Sequence, residues 1–289
     1  MNYLNSVVLE SACSIASKIG AKAVLLYADL AHDASFITEQ PTCFSTILVV
    51  KEGEEVPDTL QKPLAVLRVP NVNLTRIGQV KIAIVKGIAT GLFQKGDKVV
   101  CLSGVPKFGY MDSLFVIDVG KEFEILTSGN MTDMVSGVLP EVFSAVLNLS
   151  LELAAQGREG RKVGTIFVLG DHEKVLQLSR QMIINPFAGY QEAERNILNP
   201  ELKETIKEFT AIDGAFVIKD NGVVITSGRH LSAALENKDF PQGLGSRHIA
   251  AAGITSITKA LSIVISESTG NVSVFKNGKM FVSIEKPIE

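Results

Sequence analysis

Three short clusters in the last third of the chain carry residue types suited to holding an anion: Asp213-Gly214-Ala215, Gly243-Leu244-Gly245-Ser246-Arg247-His248 and Ser266-Glu267-Ser268-Thr269-Gly270. The middle one says most. Ser246 reads as an N-cap, and Ala250, Ile254, Ile257 and Leu261 recur behind it at helical spacing, which puts Arg247 and His248 in the first turn. That end of a helix is already positive, so a cation there is misplaced by roughly 0.3–1 kcal/mol at an exposed site. A bound phosphate reverses the sign: free N–H groups, Arg247 and His248 would converge on it, and Gly243 and Gly245 let the backbone come close. A solvated Arg247 with a neutral, packed His248 accounts for the same spacing. Asp213-Gly214 serves equally as a turn or as an acidic ligand. The hydroxyls and carboxylate of Ser266, Glu267 and Ser268 fit an ordinary polar turn or a triphosphate with its metal.

The elements that must position these clusters can be traced outward from them. A helix starts near Val138, with Pro140 in its first turn and Val142, Val146, Leu149 and Leu153 on one face. It ends in a polar loop, Gly157 to Arg161, ahead of an apolar strand, Val163 to Leu169. Leu202, Ile206 and Phe209 mark an amphipathic helix that delivers the chain to Asp213, and Ala215 to Ile218 is a buried strand. Asp220-Asn221-Gly222 predicts a tight hairpin with two positive φ angles, returning through Val223 to Ile225. Leu261 to Ile265 is another buried strand, and a last hairpin pairs 272–275 with 280–284 about Asn277-Gly278. His172 and His230 have no partner at metal-ligand spacing.

The first half alternates helix and apolar strand in the manner of an α/β domain with a mostly parallel sheet. A helix from Val8 to Ile19 closes on Gly20, and strands follow at 23–28, 46–50 and 64–69. A helix from Leu74 to Leu92 has Ile77, Ile84, Ile88 and Leu92 on one face. The turn Gly96-Asp97 leads to strands at 98–102 and 113–118. Gly104 lacks the partner glycines of a dinucleotide turn. His32 and Asp33 read as a solvated loop. Residues 119–137 shift toward charge, Gly, Ser and Thr and read as a connecting segment, giving domains 1–125 and 126–289.

Composition sets the outer bounds. At 289 residues and 46% hydrophobic, the chain has material for two buried cores. A net charge of −3 with both signs interspersed gives no footprint for nucleic acid. The three cysteines, Cys13, Cys43 and Cys101, are odd in number and far apart, which fits buried thiols in a reducing compartment. Glu10 and Lys18 interrupt the first apolar stretch, so no leader is expected, and no run reaches the ~20 apolar residues of a membrane helix. The expectation is a cytoplasmic protein without membrane contact.

Taken together, Asp213-Gly214-Ala215, the run from Gly243 through Ala251, the strand Gly164 to Asp171 and Ser266-Glu267 resemble the diadenylate cyclase domain over about residues 138–285. The helix around Ala12 and Ala16, the strands at 23–28 and 46–50, and Gly96 through Val100 with Gly104 resemble the C-terminal domain of pyruvate kinases, over roughly 1–120. That domain serves regulation or subunit contact. With both halves, the chain is similar to the archaeal type of diadenylate cyclase. The resemblance implies condensation of two ATP into cyclic di-AMP with release of two pyrophosphates, across a face-to-face dimer or a larger homo-oligomer. It implies that Asp213 and Glu267 hold Mn²⁺ or Mg²⁺, and that Asp213, Arg247 and His248 are catalytic. It further implies that Gly214 and Leu231 line the nucleotide pocket, while Ser246, Arg247, His248, Ser266, Glu267 and Ser268 surround the phosphates. One residue departs from the pattern: the family commonly reads Arg-His-Arg, and the third position here is Ile249. Two other readings stay open, a non-catalytic adenine-nucleotide sensor and a nucleotidyltransferase with a different acceptor.

Overall fold

A computed structural model describes residues 3–30, 44–56, 65–105, 108–121, 135–232 and 245–286. Cys43, the pair His32 and Asp33, the glycine run Gly243-Leu244 and most of the expected connecting segment lie outside the described residues. The chain divides into two compact units, residues 1–126 and 127–289. Both are mixed α/β.

The first unit is built on a five-stranded sheet of order β3-β2-β1-β4-β5, with β1 Ala23–Tyr27, β2 Ser45–Lys51, β3 Ala65–Val69, β4 Lys98–Val105 and β5 Tyr110–Asp118. β3, β2, β1 and β4 run parallel, and β5 is antiparallel to β4. Helix α1, Tyr3–Ile19, lies across β5, β4 and β1 and buries Leu9, Ala12 and Ala16. Its Asn5 side chain accepts from the Met111 N–H at 2.8 Å, tying the helix to β5. Helix α2, Arg76–Ala89, is capped by Thr75, whose hydroxyl accepts from the Gly78 N–H. Ile84 and Ile88 are buried as expected, but the expected face does not extend to Ile77. Ile77 is exposed and every residue from Gly78 to Ala89 is buried, Lys81 and Lys86 among them. Burial pushes the Lys86 ammonium down, against a lesser opposing pull from Glu52.

The second unit is a seven-stranded sheet in the order β12-β11-β10-β6-β8-β9-β7. Its strands are β6 Thr165–Leu169, β7 Ser179–Gln181, β8 Ala215–Ile218, β9 Val224–Leu231, β10 Leu261–Ile265, β11 Val272–Lys276 and β12 Lys279–Ile284. β6 and β8 are parallel, and β10, late in the sequence, pairs antiparallel with both β6 and β11. Alternation along each strand splits the core. Ile166, Val168, Val217 and Val264 meet Ala251, Ala252 and Ile254 of helix α6, Ser246–Ile257. Phe167 and Phe216, one residue out of step, pack 5.0 Å apart between ring centres and meet Phe187 beside Phe209. Helix α3, Pro140–Gln156, packs on β10 and β11, with Pro140 opening it as expected.

Two turns test the reading of Asn-Gly pairs. Asn277 and Gly278 both have positive φ, at 51° and 74°, as the two-residue hairpin between β11 and β12 requires. In the β8–β9 turn only Gly222 is positive, and its N–H donates to the Lys219 carbonyl. That turn is one residue longer than predicted, because Asp220 and Asn221 form a right-handed turn before Gly222 carries the bulge. Two short elements had no sequence signal, helix α4, His172–Gln177, and β7; helix α5, Leu202–Phe209, stands where the amphipathic pattern put it. Phe216→Ala removes a ring from the centre of this packing. We expect a loss of about 3–5 kcal/mol from the second unit, read as an earlier transition in urea unfolding followed by far-ultraviolet circular dichroism.

Candidate functional site

Strands β10, β6 and β8 are sheet neighbours, and one residue from each of the three clusters, Asp213, Arg247 and Glu267, meets the others at one edge of them. Asp213 stands two residues before β8 and Glu267 two residues after β10, where antiparallel pairing returns the chain to the starting end of β6. Arg247, in the first turn of α6, joins them. Its Nη2 donates to Asp213 Oδ1 at 2.8 Å and its Nη1 to Glu267 Oε2 at 2.9 Å. The guanidinium crosses the first residues of the middle strand, at Gly164. A Cβ on Gly164 would lie 2.7 Å from Arg247 Nη1 and 2.7 Å from the Glu267 Cβ, so a larger residue there would push the bridge aside.

Each anchor of the bridge has a local cause. Gly214 sits at φ 115°, and a Cβ there would come within 2.7 Å of the Arg229 backbone, where β9 presses against the start of β8. The Thr165 hydroxyl donates to the Gly214 carbonyl at 3.5 Å. On the other side, the Ser266 N–H donates to the Asn271 carbonyl and the Gly270 N–H to the Ser266 carbonyl, closing the turn that presents Glu267 and Ser268. The Ser266 and Ser268 hydroxyls lie 3.2 Å apart.

The start of α6 differs from expectation in two ways. Gly245, not Ser246, is the N-cap, and no side chain caps the helix. The His248 N–H donates to the Gly245 carbonyl, and the Ser246 and Arg247 N–H groups, without a partner among the described residues, are open to a ligand. The buried face runs through His248, Ala251, Ala252 and Thr255, whereas Ile257, expected inside, is 42% exposed. His248 is buried and meets the Phe275 ring edge-on, with centres 5.9 Å apart. Burial pushes its imidazole below the ordinary value.

Beside the bridge opens a cleft of about 780 Å³. Of the sequence-predicted site residues, Ser246, Arg247, His248, Ser266, Glu267 and Ser268 line it. Asp213 reaches it through Arg247. Gly214 is not on its wall, nor is Leu231, whose side chain belongs to the core packed under α6. Arg161, Lys162, Asn271, Ser273 and Ser283 line the cleft as well. Sequence reasoning passed over Arg161 as the end of a polar loop and gave Lys162 no role; the signal was a pair of cations directly ahead of a buried strand. Among the described residues no group of three or more His, Cys, Asp or Glu forms a metal cluster. Two carboxylates that share one guanidinium still suit a hard cation of the Mg²⁺ or Mn²⁺ kind held jointly with phosphate oxygens, because such ions take one or two carboxylates plus the substrate.

A cleft lined by cations, hydroxyls and an uncapped helix start at the edge of a mixed sheet defines an anionic-ligand site of the nucleotide-binding kind. The comparisons agree. Residues 152–280 match the family described as "DisA bacterial checkpoint controller nucleotide-binding". Residues 4–127 match a second family, "Probable sensor domain DacZ_P". A diadenylate cyclase from Methanocaldococcus jannaschii is 37% identical over 198 residues, which cover 68% of this chain and 63% of the relative. Another from Haloferax volcanii is 40% identical over 146 residues, covering 50% of this chain and 53% of the relative. The match thus spans less than two thirds of either relative's length. Among solved structures, a hypothetical membrane spanning protein from Bacillus cereus aligns with a TM-score of 0.39 at 24% identity, over 50% of this chain and 64% of its own. No helix among the described residues is long and apolar enough to cross a membrane.

The buried imidazole makes a pH prediction. His248 has a depressed value in the folded state, so the unfolded chain binds its proton first as pH falls. Its neutral form supports the fold fully above the unfolded value of about 6.5, and that support is lost as pH falls below it. Urea unfolding between pH 7.5 and 5 should show a falling stability whose slope is shallower in His248→Gln.

Proposed function

We propose that this chain is a diadenylate cyclase, condensing two ATP into cyclic di-AMP and two pyrophosphates. The observation that carries the reading is the bridge from Arg247 to Asp213 and Glu267 at the mouth of a cation-lined cleft, in a stretch that matches the DisA nucleotide-binding family. Each new ester bond forms between one ATP's 3′-oxygen and the other's α-phosphorus as the α–β anhydride bond breaks and pyrophosphate leaves. Phosphoryl transfer of this kind needs alignment and charge neutralisation more than covalent help. Arg247 and the first-turn N–H groups supply positive charge where the phosphates would sit. The Asp213 carboxylate would orient the attacking hydroxyl and take its proton. Asp213 and Glu267 would hold Mn²⁺ or Mg²⁺, a Lewis acid for the phosphoryl oxygens. His248, neutral and buried, would hold a phosphate only as a hydrogen-bond donor.

Asp213 is 83% exposed, and a carboxylate so open cannot by itself exclude water from the reaction. A second copy facing the first would close the site and bring the second nucleotide, so we assign the activity to a face-to-face dimer or a larger homo-oligomer. The first unit, matched by a sensor family, would assemble or regulate it. Incubating the protein with ATP and Mn²⁺ and resolving the products tests the reaction. Cyclic di-AMP should appear with a rate per chain that rises with protein concentration, and its absence at high concentration sinks the proposal in favour of a nucleotide sensor. Asp213→Asn should keep the fold and lose turnover by about 10³-fold or more, the range for removing a charge-bearing catalytic group; full activity in that variant would reject the role given to Asp213.

A further inference from the structure

The cations of the cleft do not come from the helix alone. Of the first turn of α6, only Arg247 offers a charge to the cleft. His248 is turned into the core with its imidazole held toward the neutral form, and Ile249 is apolar, exposed and off the cleft wall. A nucleoside triphosphate carries about four negative charges, most of them on the β- and γ-phosphates, and Arg247 is already shared between two carboxylates. More positive charge is needed, and it stands on another part of the cleft wall.

That wall is the loop between α3 and β6. Arg158 and Arg161 exchange backbone hydrogen bonds at 2.9 Å in each direction, and Glu159 and Gly160 between them both have positive φ, so the loop is a closed two-residue turn. Its base is fixed further by Arg158, whose guanidinium pairs with Glu204 and Glu208 of α5. Arg158 is therefore engaged away from the cleft. Arg161 and Lys162 are not: both line it, and the Arg161 side chain pairs with no carboxylate among the described residues. The Lys162 ammonium reaches across to the Ser268 carbonyl at 3.3 Å, which places its charge over the turn that carries Glu267. A lysine resting on a single neutral carbonyl is a weakly held cation, ready to exchange that contact for a charged one.

Resting on the reading of this site as an ATP site, we infer that Arg161 and Lys162 bind the β- and γ-phosphates and neutralise the pyrophosphate as it leaves. They supply charge from the loop ahead of β6, whereas the first turn of α6 offers Arg247 alone. Their work falls on the leaving group, whereas Asp213 and Arg247 serve the reacting centre.

The test uses the full chain and three probes, inorganic pyrophosphate, ATP and AMP, with binding measured by titration calorimetry. In the double variant Arg161→Gln/Lys162→Gln, pyrophosphate and ATP should each bind more weakly by about tenfold or more, the size of one lost charge-assisted contact, while AMP, which lacks the outer phosphates, binds as before. Lys162→Arg, which keeps the charge, should restore most of the loss in an Arg161-intact background. Unchanged pyrophosphate binding in the double variant overturns the inference, and so does an equal loss for ATP and AMP, the mark of a general structural change. A wild-type protein that binds pyrophosphate through these residues yet makes no cyclic di-AMP would count against the reaction and not against this subsite.

Discussion

The second unit is arranged so that one guanidinium can reach two carboxylates that no local stretch of chain could bring together. Asp213 belongs to the approach to β8 and Glu267 to the exit from β10, with β6 between them. Neighbouring strands lie about 4.8 Å apart, so the two acids hang from backbones about 10 Å apart. Spanning that gap takes a long side chain with donors at both sides of its tip. Arginine has them in a rigid fork, and lysine, a single point charge, does not. The span also needs a clear path over the middle strand, which Gly164 provides by having no side chain. Strand order, residue type and an absent Cβ are thus three parts of one requirement.

This bridge does little for the stability of the fold. Its carboxylates are 83% and 57% exposed, and ion pairs of that kind contribute about 0–1 kcal/mol. The fold is held elsewhere, by the Phe167–Phe216 packing on one face of the sheet and by the small residues Ala251 and Ala252 that let α6 lie close on the other. The division matters for function. Contacts that cost little to break can be exchanged for contacts with a ligand, while the strands and helix that aim them stay where the core fixes them. An uncapped helix start fits the same logic, since a side-chain cap would compete with a ligand for those N–H groups.

What the sequence made legible was what is local. Buried strands announced themselves as apolar runs, and Pro140 and Asn277-Gly278 marked their helix start and hairpin through backbone preferences that neighbours do not override. The face of α6 was read only in part: Ile254 is buried as expected, but periodicity also favoured Ile257, which is not. The contact surface instead takes Ala251, Ala252 and Thr255, where a close approach to the sheet leaves no room for bulk, and takes His248 with them. The three clusters were visible as residue types, and their convergence was expected only from the family resemblance, not from the residues themselves. It depends on β10 inserting antiparallel between β11 and β6, a pairing across about a hundred residues that no window along the chain reports. Arg161 and Lys162 escaped notice for the same reason: they line a cleft that exists only once β10 and its turn are in place.

The departure at Ile249 looks different in this light. Successive residues on a helix turn by about 100°, so the first turn of α6 points Arg247, His248 and Ile249 in three directions. Arg247 faces the carboxylates, His248 the core, and Ile249 neither. A cation at that third position would project from the rim of this copy's cleft and not into it. An apolar residue there therefore leaves the Arg247 bridge intact, and its 43% exposure puts a hydrophobic side chain beside the open mouth of the site. If two copies meet mouth to mouth, each bringing a cationic cleft, an apolar contact at the rim opposes their approach less than a pair of like charges would. The substitution removes charge from the place where two subunits would repel and leaves it where the phosphates would lie.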